Sequence, residues 1–324
     1  MSEHVLIERR GHVMEITLNK PKVNAIDHEM SKAIADAFVE FDKDDDLRVA
    51  ILTAAGDRIF SAGWDLKALD RGDAKLDEWW DDGDYGYGGF AGLTENWTMN
   101  KPVIVALNGL VIGGGFEIAM ACDLLIAADH VEFALPEMPL GIIPDSGAIQ
   151  RLPRLIPHNI AMEMLLLGRR MPASEAAHYG LINKVVPGDK LMETARKWAD
   201  DIAWYAPLAV QSIKEVLRHI DQQPLPTAFD IMRSGDLPTY RAMLKSEDAE
   251  EGVRAFVEKR EPVYKGNWTI ITKKETGMTL PDISSLSTIA SIGGGPIGGG
   301  WAAHFLARGF DVRAYLHDPA EEPA

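Results

Sequence analysis

The chain has 324 residues, 46% hydrophobic and 25% charged, which describes a globular protein of one large domain, or a domain plus an appendage. A formal net charge of −16 argues against a nucleic-acid binder, which needs a basic face, but leaves room for an anionic ligand held by a few local cations. The single cysteine, Cys122, excludes an internal disulfide, and its apolar setting reads as a buried structural thiol rather than a nucleophile.

The N-terminal "MSEHVLIERRGHVMEITLNK" lacks the apolar core of a signal peptide. No apolar run approaches the roughly 20 residues of a membrane helix, so no membrane partner and a cytoplasmic location are expected. "HVMEITL" alternates like a strand. "KPKVNAID" turns, and Asp27 is placed to cap the next helix, where Met30, Ile34, Phe38 and Phe41 share one face. "RVAILTAAG" reads as a buried strand and "FSAGWDLKAL" as a loop entering a helix. "LDEWWDDGDYGYGGFAG" is acidic, aromatic and Gly-rich, which predicts a mobile loop. "KPVIVALNG" is a second buried strand, followed by a glycine turn into the helix of "GGFEIAMACD"; "DLLIAAD" is a third strand. From Ile149 to Glu261 the pattern is mainly helical around a short extended "NKVVP". Strands and helices alternating early, then helices alone, predict an α/β core with a helical end.

The chemistry concentrates around the glycine turn. Gly113, Gly114 and Gly115 let backbone approach a ligand, and the first helical N–H groups carry the positive end of the dipole. Such a donor stabilises an oxygen that becomes negative; a tight turn alone would also demand the glycines. "FSAGWD" offers a second exposed N–H, at Trp64. Glu117 falls in the first turn after the glycines, and Glu137 follows Pro136 on a loop. Two carboxylates facing one small polar space divide acid and base work, because burial and repulsion hold a proton on one of them. Adding water across a C=C beside a carbonyl needs that combination. The plainer alternative makes Glu117 a helix-start charge and Glu137 a surface acid.

"FSAGWDL", "KPVIVALNGLVIGGGFEIAMACDLLIAAD", "FALPEMPLGIIPDSGAIQRLPRLI" and "GRRMPASEAAHYGLINKVVP" resemble, in order and spacing, the signature blocks of the crotonase (enoyl-CoA hydratase/isomerase) superfamily. The resemblance runs from about Glu3 to Gly266. It implies an α/β fold, a crotonase-like β-β-α spiral with a C-terminal helical region that mediates trimerisation. It also implies an acyl-CoA thioester substrate, coenzyme A as part of that substrate with no prosthetic group, and a homotrimer or hexamer. Hydratases of the superfamily keep both glutamates, matched by Glu117 and Glu137, whereas isomerases typically keep only the second. The oxyanion-hole donors fall on Trp64 and Gly114. The substrate-binding positions fall on Ala62, whose carbonyl meets the adenine amine, and on Asp65, Leu66, Gly113, Pro136, Lys22 and Ala25. Phe256 and Lys259 match residues that reach the nucleotide, sometimes from a neighbouring subunit; a lone Lys22 is as readily a solvated side chain.

"SAGWDLKAL", "YGGFAGLTE", "PDSG", "GRRM", "RSG" and "SEDAEEGVRAFVEKREPVYKG" together resemble the carnitinyl-CoA dehydratase (crotonobetainyl-CoA hydratase) branch of the superfamily. Ordinary hydratases carry smaller residues at Trp64 and at Asp145 and Ser146. Those departures imply a pocket for a polar or cationic acyl group, with Trp64, Tyr85, Tyr87, Phe90 and Asp145 as candidate walls; the same aromatic residues would also make a packed lid. A general short-chain enoyl-CoA hydratase and a non-catalytic acyl-CoA-binding assembly subunit are the rival readings.

Residues 1–266 are therefore expected to form the crotonase-like domain and 267–287 a linker. Residues 288–324 read as an incomplete Rossmann-like fragment. There "SIGGGPIGGGW" sets Gly293, Gly295 and Gly298 between a strand and a helix, with Asp318 as the ribose acid. This tail resembles the start of a 3-hydroxyacyl-CoA or carnitine 3-dehydrogenase. Two strands cannot bury both faces of a parallel sheet, so NAD binding is not expected. The nine histidines are scattered, and no metal site is expected.

Overall fold

Apolar runs too uniform for a half-exposed strand become the middle of a sheet covered on both faces. The computed structural model describes residues 3–73 and 85–266, together with the backbone of 288–292 and 311–315. Its main sheet joins β1 (Val5–Arg10), β2 (Val13–Leu18), β3 (Val49–Ala54), β5 (Val103–Leu107), β7 (Leu124–Ala128) and β10 (Lys184–Val186) in that order. A second sheet orders β4 (Ile59–Ser61), β6 (Leu110–Ile112), β8 (Glu132–Ala134) and β9 (Met171–Pro172). Pairing is parallel except at β1–β2 and β8–β9. Every residue of β3 and β5 is buried.

The chain alternates between the sheets: β3 then β4, β5 then β6, β7 then β8. This is the expected β-β-α spiral, with α2 (Leu66–Asp70) after β4 and α3 (Gly114–Ala121) after β6. Because β4, β6 and β8 lie side by side and parallel, the segments leaving their carboxyl ends emerge together. That arrangement positions the site.

Helix α1 (His28–Lys43) starts where the cap was expected: the Asp27 carboxylate accepts from the Met30 N–H at 2.9 Å. Met30, Ile34, Phe38 and Phe41 are all buried. The later chain is helical, as α4 (Ala148–Leu155), α5 (His158–Leu167), α6 (Ala173–His178), α7 (Leu191–Trp204), α8 (Pro207–Ile220), α9 (Leu225–Arg233), α10 (Pro238–Leu244) and α11 (Glu247–Glu258). β2 departs from its alternating sequence, since even Glu15 is buried. Burial alone would raise the Glu15 carboxyl. Arg196 holds both of its oxygens at 2.8 Å and Arg10 adds a contact at 3.2 Å, so the carboxyl lies below its ordinary range. Among the described residues no helix is long and apolar enough to cross a membrane.

The chain divides into two compact units, Met1–Thr269 and Ile270–Ala324. In the second, β11 (Thr288–Ile292) pairs in parallel with β12 (Asp311–Tyr315). Gly293, Gly295, Gly298 and Asp318 lie outside the described residues, as do the segment 267–287 and "LDEWWDDGD" of the acidic aromatic stretch.

Candidate active site

After β4 the chain runs through Ala62, Gly63 and Trp64. Ile26 bridges this segment in parallel: its N–H donates to the Gly63 carbonyl at 2.8 Å, and its carbonyl accepts from the Asp65 N–H at 2.9 Å. A parallel bridge uses the groups on either side of the facing residue, so the Trp64 N–H is left with no acceptor among the described residues. After β6, the Gly113 N–H donates to the Ala134 carbonyl, and the Gly113 carbonyl accepts from Phe116 and Glu117. The Gly114 N–H, at the start of α3, also lacks an acceptor among the described residues. The two segments touch. Gly63 has φ +78°, and a Cβ there would lie 2.4 Å from the Gly114 nitrogen, so only glycine fits. Two unpaired N–H donors thus sit on adjoining loops.

The carboxylates approach the same point. Glu137 leaves β8 beyond Pro136, and a Cβ on Gly113 would lie 2.7 Å from its Oε1. Its Oε2 is enclosed without a partner among the described residues. Glu117 is buried, and its Oε1 accepts from the Ala148 N–H at 2.9 Å. Burial pushes Glu117 up to about 8, with the charges of Glu137 and Asp145 adding to the rise and the Ala148 bond opposing it. Burial likewise pushes Glu137 up to about 7, reinforced by Asp145. Both groups therefore exchange protons near neutrality, and the more enclosed Glu117 holds its proton to higher pH.

These groups open into a cavity of about 260 Å³. Of the residues expected from the sequence, Ala62, Trp64, Leu66, Gly113, Gly114, Glu117, Pro136, Glu137, Asp145, Ser146, Tyr85 and Phe90 line it. Tyr85 is wedged edge-on between Trp64 and Phe90, with ring centroids 6.0 and 6.4 Å away. The Trp64 Nε1 is buried without a partner among the described residues, a donor available to a ligand. Asp145 stands exposed at the rim.

Other expected residues are not brought here. Tyr87 is exposed and its hydroxyl bonds Thr98. Asp65 caps α2 through the Lys67 N–H at 3.1 Å and pairs with Lys20 at 3.0 Å. Lys22 and Ala25 lie on the preceding loop, and Phe256 and Lys259 at the end of α11; none of them lines the cavity. The reading by residue missed Ala148, because a backbone donor leaves no trace in side-chain identity. It also missed Lys20, whose Nζ joins Asp27 at 2.5 Å and Asp65 at 3.0 Å and so ties α1 to the Trp64 loop. Cys122 is buried, which pushes its thiol up and leaves it unreactive.

A fold of paired β-β-α turns, with two acids and two free donors at the carboxyl ends of its strands, defines an acyl-CoA hydratase-type enzyme. The sequence pattern of the enoyl-CoA hydratase/isomerase family matches residues 8–267, and the chain belongs to that family. It is a hydro-lyase of the hydratase/dehydratase type. Among curated relatives, the carnitinyl-CoA dehydratases of Salmonella heidelberg and Salmonella typhimurium are each 50% identical over 266 residues, covering 82% of this chain and 100% of theirs. Among solved structures, the enoyl-CoA hydratase of Mycobacterium tuberculosis H37Rv superposes with a TM-score of 0.73 at 35% identity, covering 82% of this chain and 100% of that one.

Proposed function

We propose that the chain catalyses the reversible dehydration of carnitinyl-CoA to crotonobetainyl-CoA. The observation that carries the chemistry is the meeting of two raised carboxyls and two unpaired N–H groups in one cavity. In dehydration, ionised Glu137 takes the α-proton. The thioester oxygen, gaining negative charge, is held by the Trp64 and Gly114 N–H groups. Protonated Glu117 gives its proton to the β-hydroxyl as the C–O bond breaks, and water leaves. This division follows the burial of the two carboxyls: the more enclosed Glu117 favours its protonated form over the half-buried Glu137. Hydration runs the same steps backwards.

The acyl group is argued from the carnitinyl-CoA dehydratase relatives and from the cavity wall, which Trp64, Tyr85, Phe90 and Asp145 share. Aromatic faces and an acid suit a quaternary ammonium. The Ala62 carbonyl, Lys22, Ala25, Phe256 and Lys259 are assigned to coenzyme A, the last two on a surface that a neighbouring subunit can present. Leu66, Leu140, Ile142 and Ile143 also line the cavity and favour a second reading, a hydratase for plain short enoyl-CoAs. Loss of the enoyl-thioester absorbance, followed with crotonobetainyl-CoA and crotonyl-CoA side by side, decides. A higher kcat/KM for crotonobetainyl-CoA is expected, and the reverse order rejects the carnitine assignment.

A further inference from the structure

Arg151, on α4, takes no part in the chemistry assigned above. It lines a second cavity, of about 580 Å³, beside Thr94, Trp97 and Arg154, and this cavity shares Asp145 and Ser146 with the first. A turn of chain therefore separates Arg151 from the reacting groups. The guanidinium is fixed from several directions. Its Nη2 donates to the Thr94 carbonyl at 2.7 Å, and its centre lies 5.8 Å from the Trp97 ring. Its Nη1 is 2.2 Å from where a Cβ on Gly147 would stand, so the cation rests against the Gly147 backbone. The next residue, Ala148, donates its N–H to Glu117. A continuous path thus runs from the Thr94 carbonyl through Arg151 and the Gly147–Ala148 turn to the Glu117 carboxyl.

The charges around Glu117 give this path a second consequence. Glu137 and Asp145 face it with negative charge and disfavour its ionised form. Arg151 feels the Glu117 charge first, then those of Cys122 and Glu95, with Arg154 opposing; at Glu117 itself burial, the Ala148 bond and the two neighbouring acids weigh more. A carboxylate this enclosed needs such an offset at the moment it gives up its proton.

We propose that Arg151 is a positioning residue for Glu117: it braces the Gly147–Ala148 turn from the second cavity, and its charge steadies the carboxylate left when Glu117 has protonated the departing hydroxyl. The proposal rests on the acid role given to Glu117.

The test compares Arg151→Met and Arg151→Lys with the unchanged full-length chain. Arg151→Met is expected to lower kcat by about tenfold, less than the roughly 10²–10⁴-fold lost with the general acid itself, with KM within about twofold. It should also move the alkaline limb of the dehydration profile upward by about half a pH unit or more, because the ionised form has lost its cation. Arg151→Lys keeps the charge and should hold that limb in place while recovering part of kcat. Arg151→Gln gives the same readings as the Met variant if the latter does not fold. Infrared titration of the carboxyl band that disappears in Glu117→Gln reads the same shift without turnover. An unmoved band and limb in Arg151→Met, beside an inactive Glu117→Gln, would overturn the role of Arg151 alone. An active Glu117→Gln would overturn the acid role beneath it.

Discussion

Glu117 and Glu137 differ by their surroundings rather than their chemistry. Glu117 is 3% exposed and anchored by one backbone N–H, whereas Glu137 is half-buried with one enclosed oxygen unpaired. The proposed division of labour makes dehydration depend on one proton shared by the two groups. Activity should fall as pH drops below about 7, where Glu137 becomes protonated, and fall again above about 8, where Glu117 ionises. Glu117→Gln and Glu137→Gln should each lower kcat by about 10²–10⁴-fold while acyl-CoA affinity changes little. Residual activity of Glu117→Gln should keep the acidic limb and lose the alkaline one; the opposite pattern would exchange the two roles. Asp145 carries the specificity argument. Asp145→Ala should reduce kcat/KM for crotonobetainyl-CoA roughly fivefold more than for crotonyl-CoA, the weight of about 1 kcal/mol for a cation held at an exposed rim. Equal losses on both substrates would make Asp145 a loop residue.

Three short strands, rather than any single residue, bring the donors and acids together. Ser61, Ile112 and Ala134 end β4, β6 and β8, and each is followed within three residues by a group of the site: Trp64, Gly114 and Glu137. The contact between the Trp64 and Gly114 loops is tight enough to test. Gly63→Ala would force a Cβ to within 2.4 Å of the Gly114 nitrogen, a backbone atom that cannot swing aside, at a φ of +78°. The loops should part, and kcat should fall about 10²–10³-fold, as on loss of an oxyanion donor. A melting curve confirms that the variant still folds. Wild-type kcat in a folded Gly63→Ala would refute the two-loop oxyanion hole. The sequence shows these elements unevenly. β3, β5 and β7 are legible because they are almost wholly apolar runs of five or six residues, and α1 because its cap and apolar face agree. β4, β6 and β8 are each three residues long, too short for any periodicity, and "FSA" consequently reads as loop. Pattern exposes the acids and glycines, but their convergence depends on parallel pairing between segments about fifty and twenty residues apart, which local sequence does not encode.

At the scale of the molecule, the catalytic region closes before the chain does. Asp248 is buried, and its carboxylate accepts from the Lys265 and Gly266 N–H groups at 2.9 Å each. Arg48 adds a bond to the Tyr264 carbonyl at 3.2 Å. The chain is thus tied down through Gly266, and the family pattern ends at residue 267. On α11, Val253, Phe256 and Val257 are 69%, 85% and 74% exposed, an apolar face suited to another copy of the chain. We propose that residues 1–266 carry the hydratase activity and any self-association, and that 267–324 are dispensable for both. A chain ending at Gly266 should match the full chain in kcat and KM, and in oligomer mass by light scattering. Calorimetry of the full chain with NADH should show no saturable heat, since the proposed dehydration is redox-neutral and needs no nicotinamide. Loss of turnover or of the oligomer on truncation would assign the tail to the catalytic assembly, and micromolar NADH binding would make it a nucleotide site after all.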